Sequence, residues 1–459
     1  MGKKKSSFGR ARDLVIYATV LGSLMFLPVD NNKPNNAENK QRASQSLEER
    51  IDASKNLGRA VLSFEQQETG IVKPEHYILL DRIIEEAKDR INIKSNYTEA
   101  EAFEILKTID DMLKNTFNFR IAINKENFLF SHSLRDRRLD CNTASLIYLS
   151  IAQSLGLPLS GVNAPRHMFV RLRYDGNKYV NFETTNGTLQ PDAEYIKVLK
   201  IHESSIATSY LANLTARQVF ASFVNSLGLY QYQSGQLDKA VADYVLAIRL
   251  DRKSPAAYNN LANAKASLGM LDEAIELHNK AISLDQNNAD FYYNRGKTKE
   301  DKDDVDGAID DYSLAINNDP DNSKAYTCRG TLLFSRNGNI LAAKTDLETA
   351  IRLDPLNHVA YMDLGNVMAE DGKLDEAIRL QTKAIQLKPD YAEAHLNRGI
   401  SNARKGSLQD AVDDLNHAIE LKPDYAPTYA NLGQVLGALG RDEEAKIAFE
   451  KYRRLTEKR

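Results

Sequence analysis

The chain has 459 residues, enough for two or three domains, and 42% of them are apolar, enough to bury substantial cores. A net charge of −3 provides no general basic field for a phosphate backbone, and aromatic residues are nowhere concentrated among Lys and Arg, so nucleic acid is not an expected partner. The two cysteines, Cys141 and Cys328, make neither a disulfide framework nor a zinc cluster, and no metal or cofactor is expected.

Residues 1–30 read as an address or an anchor. Lys3, Lys4, Lys5, Arg10 and Arg12 precede an uncharged run from Leu14 to Val29, the order that directs a following chain across a membrane. The run is shorter than the roughly 20 residues of a spanning helix and longer than many signal-peptide cores. No small-x-small cleavage site follows Met25-Phe26-Leu27-Pro28, which favours an uncleaved signal anchor, with a cleaved signal as the alternative. A soluble helix would need a wet face that this run does not supply. Residues 31–42, rich in Asn and Lys, form a solvated tether.

Residues 43–220 read as a mixed domain. Helical spacing of Leu, Ile and Phe marks Ser44 to Phe64, Pro74 to Ile93 and Thr98 to Phe117, with Pro74 in a first turn and Thr98 with Glu101 as a capping box. Cys141 to Leu155 is apolar nearly all round and stops at Gly156-Leu157-Pro158, as a helix buried at a domain centre does. Asp140 is its expected N-cap. A thiol at Cys141 then sits at the positive end of the helix dipole, beside amides that can stabilise an oxyanion.

Downstream, His167 to Tyr174 alternates, with Met168, Val170, Leu172 and Tyr174 on one face and His167, Phe169, Arg171 and Arg173 on the other. Asp175-Gly176-Asn177 turns the chain, and Lys178 to Thr184 puts Val180 and Phe182 on the apolar side. If both apolar sets face one core, the loop holds an odd number of residues. Three residues pair Phe169 with Glu183 and leave His167 diagonally across from that carboxylate, at roughly 7 Å between Cβ atoms. A carboxylate in reach of an imidazole can fix its tautomer and hold the imidazolium. Arg166, Arg171 and Arg173 read as a solvated strand edge rather than a site for an acidic substrate. Asn142, Asn181 and Tyr179 are supporting groups without an assigned role.

Leu139-Asp140-Cys141-Asn142 opening a helix, Ala164-Pro165-Arg166-His167-Met168-Phe169-Val170-Arg171 on a strand and Asn181-Phe182-Glu183-Thr184-Thr185 on the next resemble the bacterial transglutaminase-like superfamily over roughly residues 75–200. The resemblance implies a papain-like α+β fold with Cys141 as nucleophile, His167 as base and Glu183 as orienting acid. Glu in place of the commoner Asp adds one methylene to the reach. Transglutaminases, proteases, other amide hydrolases and inactive descendants share that fold, so it does not choose the reaction.

From residue 221 to 459 a repeat appears. Gly228, Ala262, Gly296, Gly330, Gly365, Gly399 and Gly433 follow at intervals of 34, once 35. Ala240, Ala274, Ala308, Ala343, Ala377, Ala411 and Ala445 recur in the second half of each period. Small residues let two antiparallel helices approach closely. Val224, Tyr258, Tyr292, Tyr326, Tyr361, His395 and Tyr429, four positions before the small residue, are core. Pro320, Pro355, Pro389 and Pro423 close second helices, and the one-residue insertion falls in the Arg336-Asn337-Gly338-Asn339 turn. The pattern resembles the tetratricopeptide repeat family, in seven copies.

That resemblance implies an all-α solenoid whose first helices line a concave wall for a protein or peptide. The wall would present Tyr232, Asn259, Asn263, Tyr293, Lys297, Thr327, Thr331, Met362, Asn366, Leu396, Ile400 and Gln434. Met362 stands where a Lys would be wanted to clamp a C-terminal carboxylate, so free C-termini are not preferred. His278, His395 and His417 read as packing or surface residues and Cys328 as a small core residue. Two functions fit: a cysteine enzyme that cleaves or transfers an amide and is tethered to a bacterial inner membrane with its bulk periplasmic, or a non-catalytic scaffold for assembling a complex. Secretion after signal cleavage is the alternative location.

Overall fold

The computed structural model describes residues 51, 54, 56–121, 129–164, 167–199, 201, 206 and 210–457. The expected anchor and tether, and Arg166, lie outside them. Among the described residues no helix is long and apolar enough to cross a membrane. The chain divides into two compact units, residues 1–287 and 288–459.

The first unit opens with α1 (Leu57–Thr69), α2 (Pro74–Arg90) and α3 (Glu99–Asp111), the last continuing through π turns to Thr116. Helix α1 runs five residues beyond its expected end, because Gly70 takes the left-handed conformation (φ 69°) and closes the helix there. The Thr98–Glu101 capping box starts α3. After β1 (Arg120–Ile121), α4 (Phe130–Asp136) and β2 (Arg138–Leu139) comes α5 (Cys141–Leu155), ended by Gly156 at φ 74°. Ten consecutive residues of α5, Thr143 to Ala152, are buried, which a helix achieves only with neighbours on all sides. Those neighbours include α1, α2 and the sheet.

The sheet has the order β6-β5-β4-β3-β7 and is antiparallel throughout: β3 (Leu159–Ala164), β4 (His167–Tyr174), β5 (Lys178–Glu183), β6 (Thr188–Leu189) and β7 (Asn213–Leu214). Strand β3 is unheralded in the sequence, since Gly161 breaks its alternation; the glycine is required because a Cβ would lie 3.1 Å from Val219 and 3.3 Å from Leu149. One sheet face packs Met168, Val170, Leu172, Val180 and Phe182 on α5. The other is covered as well: Val162, Ala164 and Phe169 pack under Tyr195 of α6 (Asp192–Val198) and under Ile201, Tyr210 and Leu211.

Helix α7 (Ala216–Gln233), started by a Thr215–Gln218 capping box, buries Val219, Phe220, Phe223, Val224 and Leu227 in the same core as α1 and α5, with Phe64 edge-on to Phe220 at 5.4 Å. The core therefore runs past residue 220 without a break. Helices α8 (Leu237–Leu250), α9 (Pro255–Ser267) and α10 (Leu271–Leu284) complete two repeats in this unit.

The second unit stacks five further pairs: α11 (Ala289–Asp301) with α12 (Val305–Asn318), α13 (Ser323–Asn337) with α14 (Ile340–Leu353), α15 (His358–Glu370) with α16 (Leu374–Leu387), α17 (Ala392–Lys405) with α18 (Leu408–Leu421), and α19 (Ala426–Ala438) with α20 (Asp442–Thr456). The recurring glycine is the point of closest approach in a pair. A Cβ at Gly365 would lie 2.7 Å from Gln381 and 3.1 Å from the Ala377 carbonyl. Helix α13 absorbs the extra residue and ends in Gly338 at φ 58°.

Within a pair, the residue before the glycine faces one on the second helix, and these two change together. Arg295, Arg329 and Arg398 meet the buried carboxylates of Asp311, Asp346 and Asp414 through paired bonds of 2.6–2.9 Å. Leu364 and Leu380 take the same places in α15 and α16, both buried. In α7 and α8 they are Leu227 and Asp243. Asp243 is 3% exposed, its Oδ2 has no hydrogen-bond partner, and burial with the nearby Glu68 pushes its carboxyl well above the ordinary range.

Candidate functional site

Helix α5 begins at Cys141 because Asp140 closes a capping box around it: its carboxylate accepts the Thr143 N–H at 2.7 Å, and its own N–H donates to Thr143 Oγ1 at 3.1 Å. The half-buried thiol is thereby fixed on the first helical residue, at the positive end of the dipole. Strand β4 begins at His167, opposite Ala164 across the link from β3. The β4–β5 turn is the expected three residues, since Tyr174 pairs with Lys178, and the register continues to Val170 opposite Phe182. His167 and Glu183 end up on one face at one edge of the two strands.

The His167 Nε2 lies 2.5 Å from Glu183 Oε2. That oxygen also accepts the Tyr195 hydroxyl at 3.3 Å, and Oε1 accepts the N–H (3.1 Å) and hydroxyl (2.5 Å) of Thr185. Burial works to raise the Glu183 carboxyl, but the bonds from His167 and Thr185 outweigh it and hold the group below the usual carboxylate range. Burial likewise opposes a charge on His167. The nearby sulfur of Cys141 and the bonded Glu183 carboxylate overcome it and push the imidazole up to about 10. An imidazole between a carboxylate and a sulfur is chemically able to carry a proton to and from the sulfur's reaction partner.

The structure thus brings Cys141, His167 and Glu183 together, and adds two residues that the sequence did not single out for the site. Tyr195 stacks on Phe169 with ring centres 4.0 Å apart and planes within 5°, which aims its hydroxyl at Glu183. Thr185 lies two residues after Glu183 and was visible only as part of a motif. Asn142 acquires a place: its Oδ1 is 4.0 Å from the Cys141 sulfur and its Nδ2 donates to Ser226 on α7 at 3.4 Å.

Arg171 corrects the strand-edge expectation. It is buried, and its guanidinium donates to Asn181 (2.7 Å), to the Leu211 carbonyl (3.0 Å) and to Asp192 (2.6 Å) while lying over the Tyr179 ring. Tyr179 and Asn181 bind the same Asp192 carboxylate. The alternation was read correctly, but the covering by α6 and residues 210–214, which a strand pattern does not report, turns the second face into a buried polar network. Arg173 is exposed, as expected.

In the repeats, four residues expected to present the concave wall are instead buried: Asn259, Thr327, Met362 and Leu396. Met362 packs with Ala384 and Ala394, and Thr327 accepts from Asn357 at 2.9 Å, because this position faces the next pair rather than solvent. In the series four positions before the small residue, Val224 and His395 are buried and the tyrosines half-buried; Arg295 and Arg329 lie over Tyr292 and Tyr326. His395 and His417, on different helices, come together with ring centres 4.4 Å apart. Among the described residues no cluster of His, Cys, Asp or Glu could hold a metal ion. Cys328 is half-buried, 3.9 Å from the Tyr293 hydroxyl, and burial pushes its thiol up.

A family model described as transglutaminase-like superfamily matches residues 75–225. Models described as TPR repeat match 228–269, 262–303, 365–406 and 403–440, and one described as tetratricopeptide repeat matches 289–322 and 426–458. Among solved structures the chain is similar to MamA (28% identity over 36% of this chain and 95% of that one, TM-score 0.32) and to YrrB, a TPR protein with an unusual peptide-binding site (27%, 40% and 95%, TM-score 0.34). A tetratricopeptide repeat protein from Parabacteroides merdae is 20% identical over 51% of this chain and 93% of that one, with a TM-score of 0.43. No curated protein matches. The chain carries a transglutaminase-like domain followed by tetratricopeptide repeats.

Proposed function

We propose that this protein is a membrane-tethered cysteine acyl transferase or amide hydrolase whose repeats bind a protein partner. The reading rests on one ring: His167 bonds to Glu183 through Nε2 and feels the Cys141 sulfur at the start of α5. The Cys141 thiolate attacks a substrate carbonyl carbon, forming a C–S bond. As the C–N bond breaks, the His167 imidazolium gives its proton to the leaving amine. Water then hydrolyses the thioester, or a second amine takes the acyl group, with His167 as base. Glu183 orients the ring and stabilises its charge without itself taking the proton. The basic flank and apolar run of residues 1–30 would hold this chemistry at the bacterial inner membrane, on its periplasmic side.

The test is covalent trapping. A peptide vinyl sulfone should modify Cys141 and spare Cys328, and Cys141→Ala should abolish labelling with the fold intact. Equal, slow modification of both cysteines, unchanged by His167→Ala, would overturn the enzymatic reading and leave an assembly scaffold. Deleting residues 1–30 should release the protein from the membrane fraction; retention there would overturn the tether.

A further inference from the structure

We propose that the substrate is an acidic peptide, and that Arg120 and Arg138 bind an Asp or Glu side chain two or three residues from the carbonyl that Cys141 attacks. This rests on the catalytic reading above and deepens it by naming the substrate class. The observation is a pair of cations set side by side next to the nucleophile. Strands β1 and β2 form a separate two-stranded parallel sheet, with Arg120 directly opposite Arg138 and Ile121 opposite Leu139. Leu139 is buried in the core, so Arg138, one residue earlier, faces the other way, and Arg120 shares its face. Both arginines are exposed. Strand β2 runs straight into the Asp140 cap of α5, and three residues of chain span at most about 11 Å, which bounds the distance from the Arg138 backbone to that of Cys141. An extended substrate covers the same distance in two or three residues.

The juxtaposition costs the fold stability. Like charges stand opposite each other, on a parallel pair only two residues long. Each strand is entered through a residue in the left-handed region, Asn118 at φ 56° and Arg137 at φ 54°, where a side chain is unfavourable. At the end of α5 that conformation falls to Gly156, which has no side chain to resist it. Arg137 is held there on purpose: its carbonyl accepts the Arg120 N–H at 2.8 Å, and its guanidinium donates to the Phe117 carbonyl at 3.1 Å. Strain and repulsion kept together beside a nucleophile point to a use. The acidic neighbours do not neutralise the pair. Asp136 is bonded twice to Arg135, at 2.6 and 2.8 Å, and Asp140 accepts the N–H and hydroxyl of Thr143 at 2.7 and 2.8 Å. Among the described residues no carboxylate bonds to Arg120 or Arg138. Two guanidiniums on one face offer planar forks of N–H donors, the complement of a carboxylate, and the carboxylates of a peptide are those of Asp and Glu.

Peptide vinyl sulfones that differ at one place test this: Glu, its neutral isostere Gln, or Lys, set two or three residues from the electrophile on either side. The Glu probe should label Cys141 about tenfold faster than the Gln probe at low salt, the gain of a charge-assisted hydrogen bond, and the ratio should shrink at high ionic strength. Arg138→Gln and Arg120→Gln should each bring the ratio toward one, and replacing both arginines by Glu should make the Lys probe the fastest. The single Gln variants should unfold at no lower temperature than the parent, because each removes a repulsion. A lower unfolding temperature with an unchanged ratio would make the arginines structural and overturn the proposal. If the Glu and Gln probes label Cys141 equally, the carboxylate site is wrong while the chemistry stands. If Glu is preferred to the same extent in every arginine variant, another group reads the acid and the proposal is again wrong. If no probe labels Cys141, the catalytic reading falls and the acidic substrate with it.

Discussion

The α+β domain and the repeats solve the same problem, a buried charge, in opposite ways. At the site, His167 and Glu183 come from separate strands and Cys141 from a helix, so three elements of different kinds must meet. In the repeats, Asp311 is answered by Arg295 and Lys299 from the preceding helix of its own pair, at 2.6–2.9 Å. The solution made within one helix pair can be copied from repeat to repeat or exchanged whole for Leu364 and Leu380. The one made from three elements cannot be exchanged piecemeal, because each partner also fixes another. Asp243 falls between the two: it has the acid of a repeat pair but Leu227 in place of the arginine.

The largest expected effect breaks the site. His167→Ala should lower turnover by about 10²–10⁴-fold, measured as release of amine from a peptide amide, without changing the far-ultraviolet circular dichroism. A loss confined to KM would show that the ring binds substrate rather than moving a proton. Next is one substitution at two equivalent places, followed by denaturant unfolding. Asp311→Leu removes the carboxylate that Arg295 and Lys299 share and should cost about 3–5 kcal/mol. Asp243→Leu restores the apolar pair and should stabilise by about 1–3 kcal/mol. Destabilisation by both would mean that Asp243 has a role in the folded state that its surroundings do not explain.

Glu65 sharpens the comparison through pH. It is fully buried on α1, where Ser131 donates to it from both backbone and side chain. Burial outweighs those bonds and pushes its carboxyl up to about 7. The folded chain then keeps a proton that the unfolded chain releases near pH 4.5, so this group makes stability fall as pH rises from about 4.5 to 7. Glu65→Gln should remove that slope, a difference on the order of 3 kcal/mol across the window by urea unfolding. The His167–Glu183 pair runs differently. The raised imidazole contributes fully below about 6.5 and is lost as pH rises through about 10. The depressed carboxyl contributes above the ordinary Glu value and is lost on acidification. Difference curves against the parent separate the two.

The smallest effect concerns Tyr195. Tyr195→Phe keeps the stack on Phe169 and removes one bond to Glu183, so kcat should fall by about fivefold, with KM unchanged and the acid limb of the pH–rate profile displaced. No displacement of that limb would make Tyr195 a packing residue only.

The repeats were legible because their information is local and repeated. A glycine every 34 residues reports helices in close contact, and proline reports where a helix ends, wherever the pair sits in the molecule. The start of α5 was legible for the same reason, since Asp140 and Thr143 cap it within one turn. The β4–β5 register followed from two alternations that had to face one core, so the proximity of His167 to Glu183 could be argued before any coordinates. What the sequence could not carry was what lies over each surface. Strand β3 lacks alternation because Gly161 answers to Val219 and Leu149, from elements far along the chain. Arg171 reads as solvated until Asp192 and the Leu211 carbonyl close around it, and Tyr195 joins the site only because α6 folds back over the sheet. Periodicity records which face of an element is apolar; only the packed fold decides which polar face meets water and which meets another part of the chain.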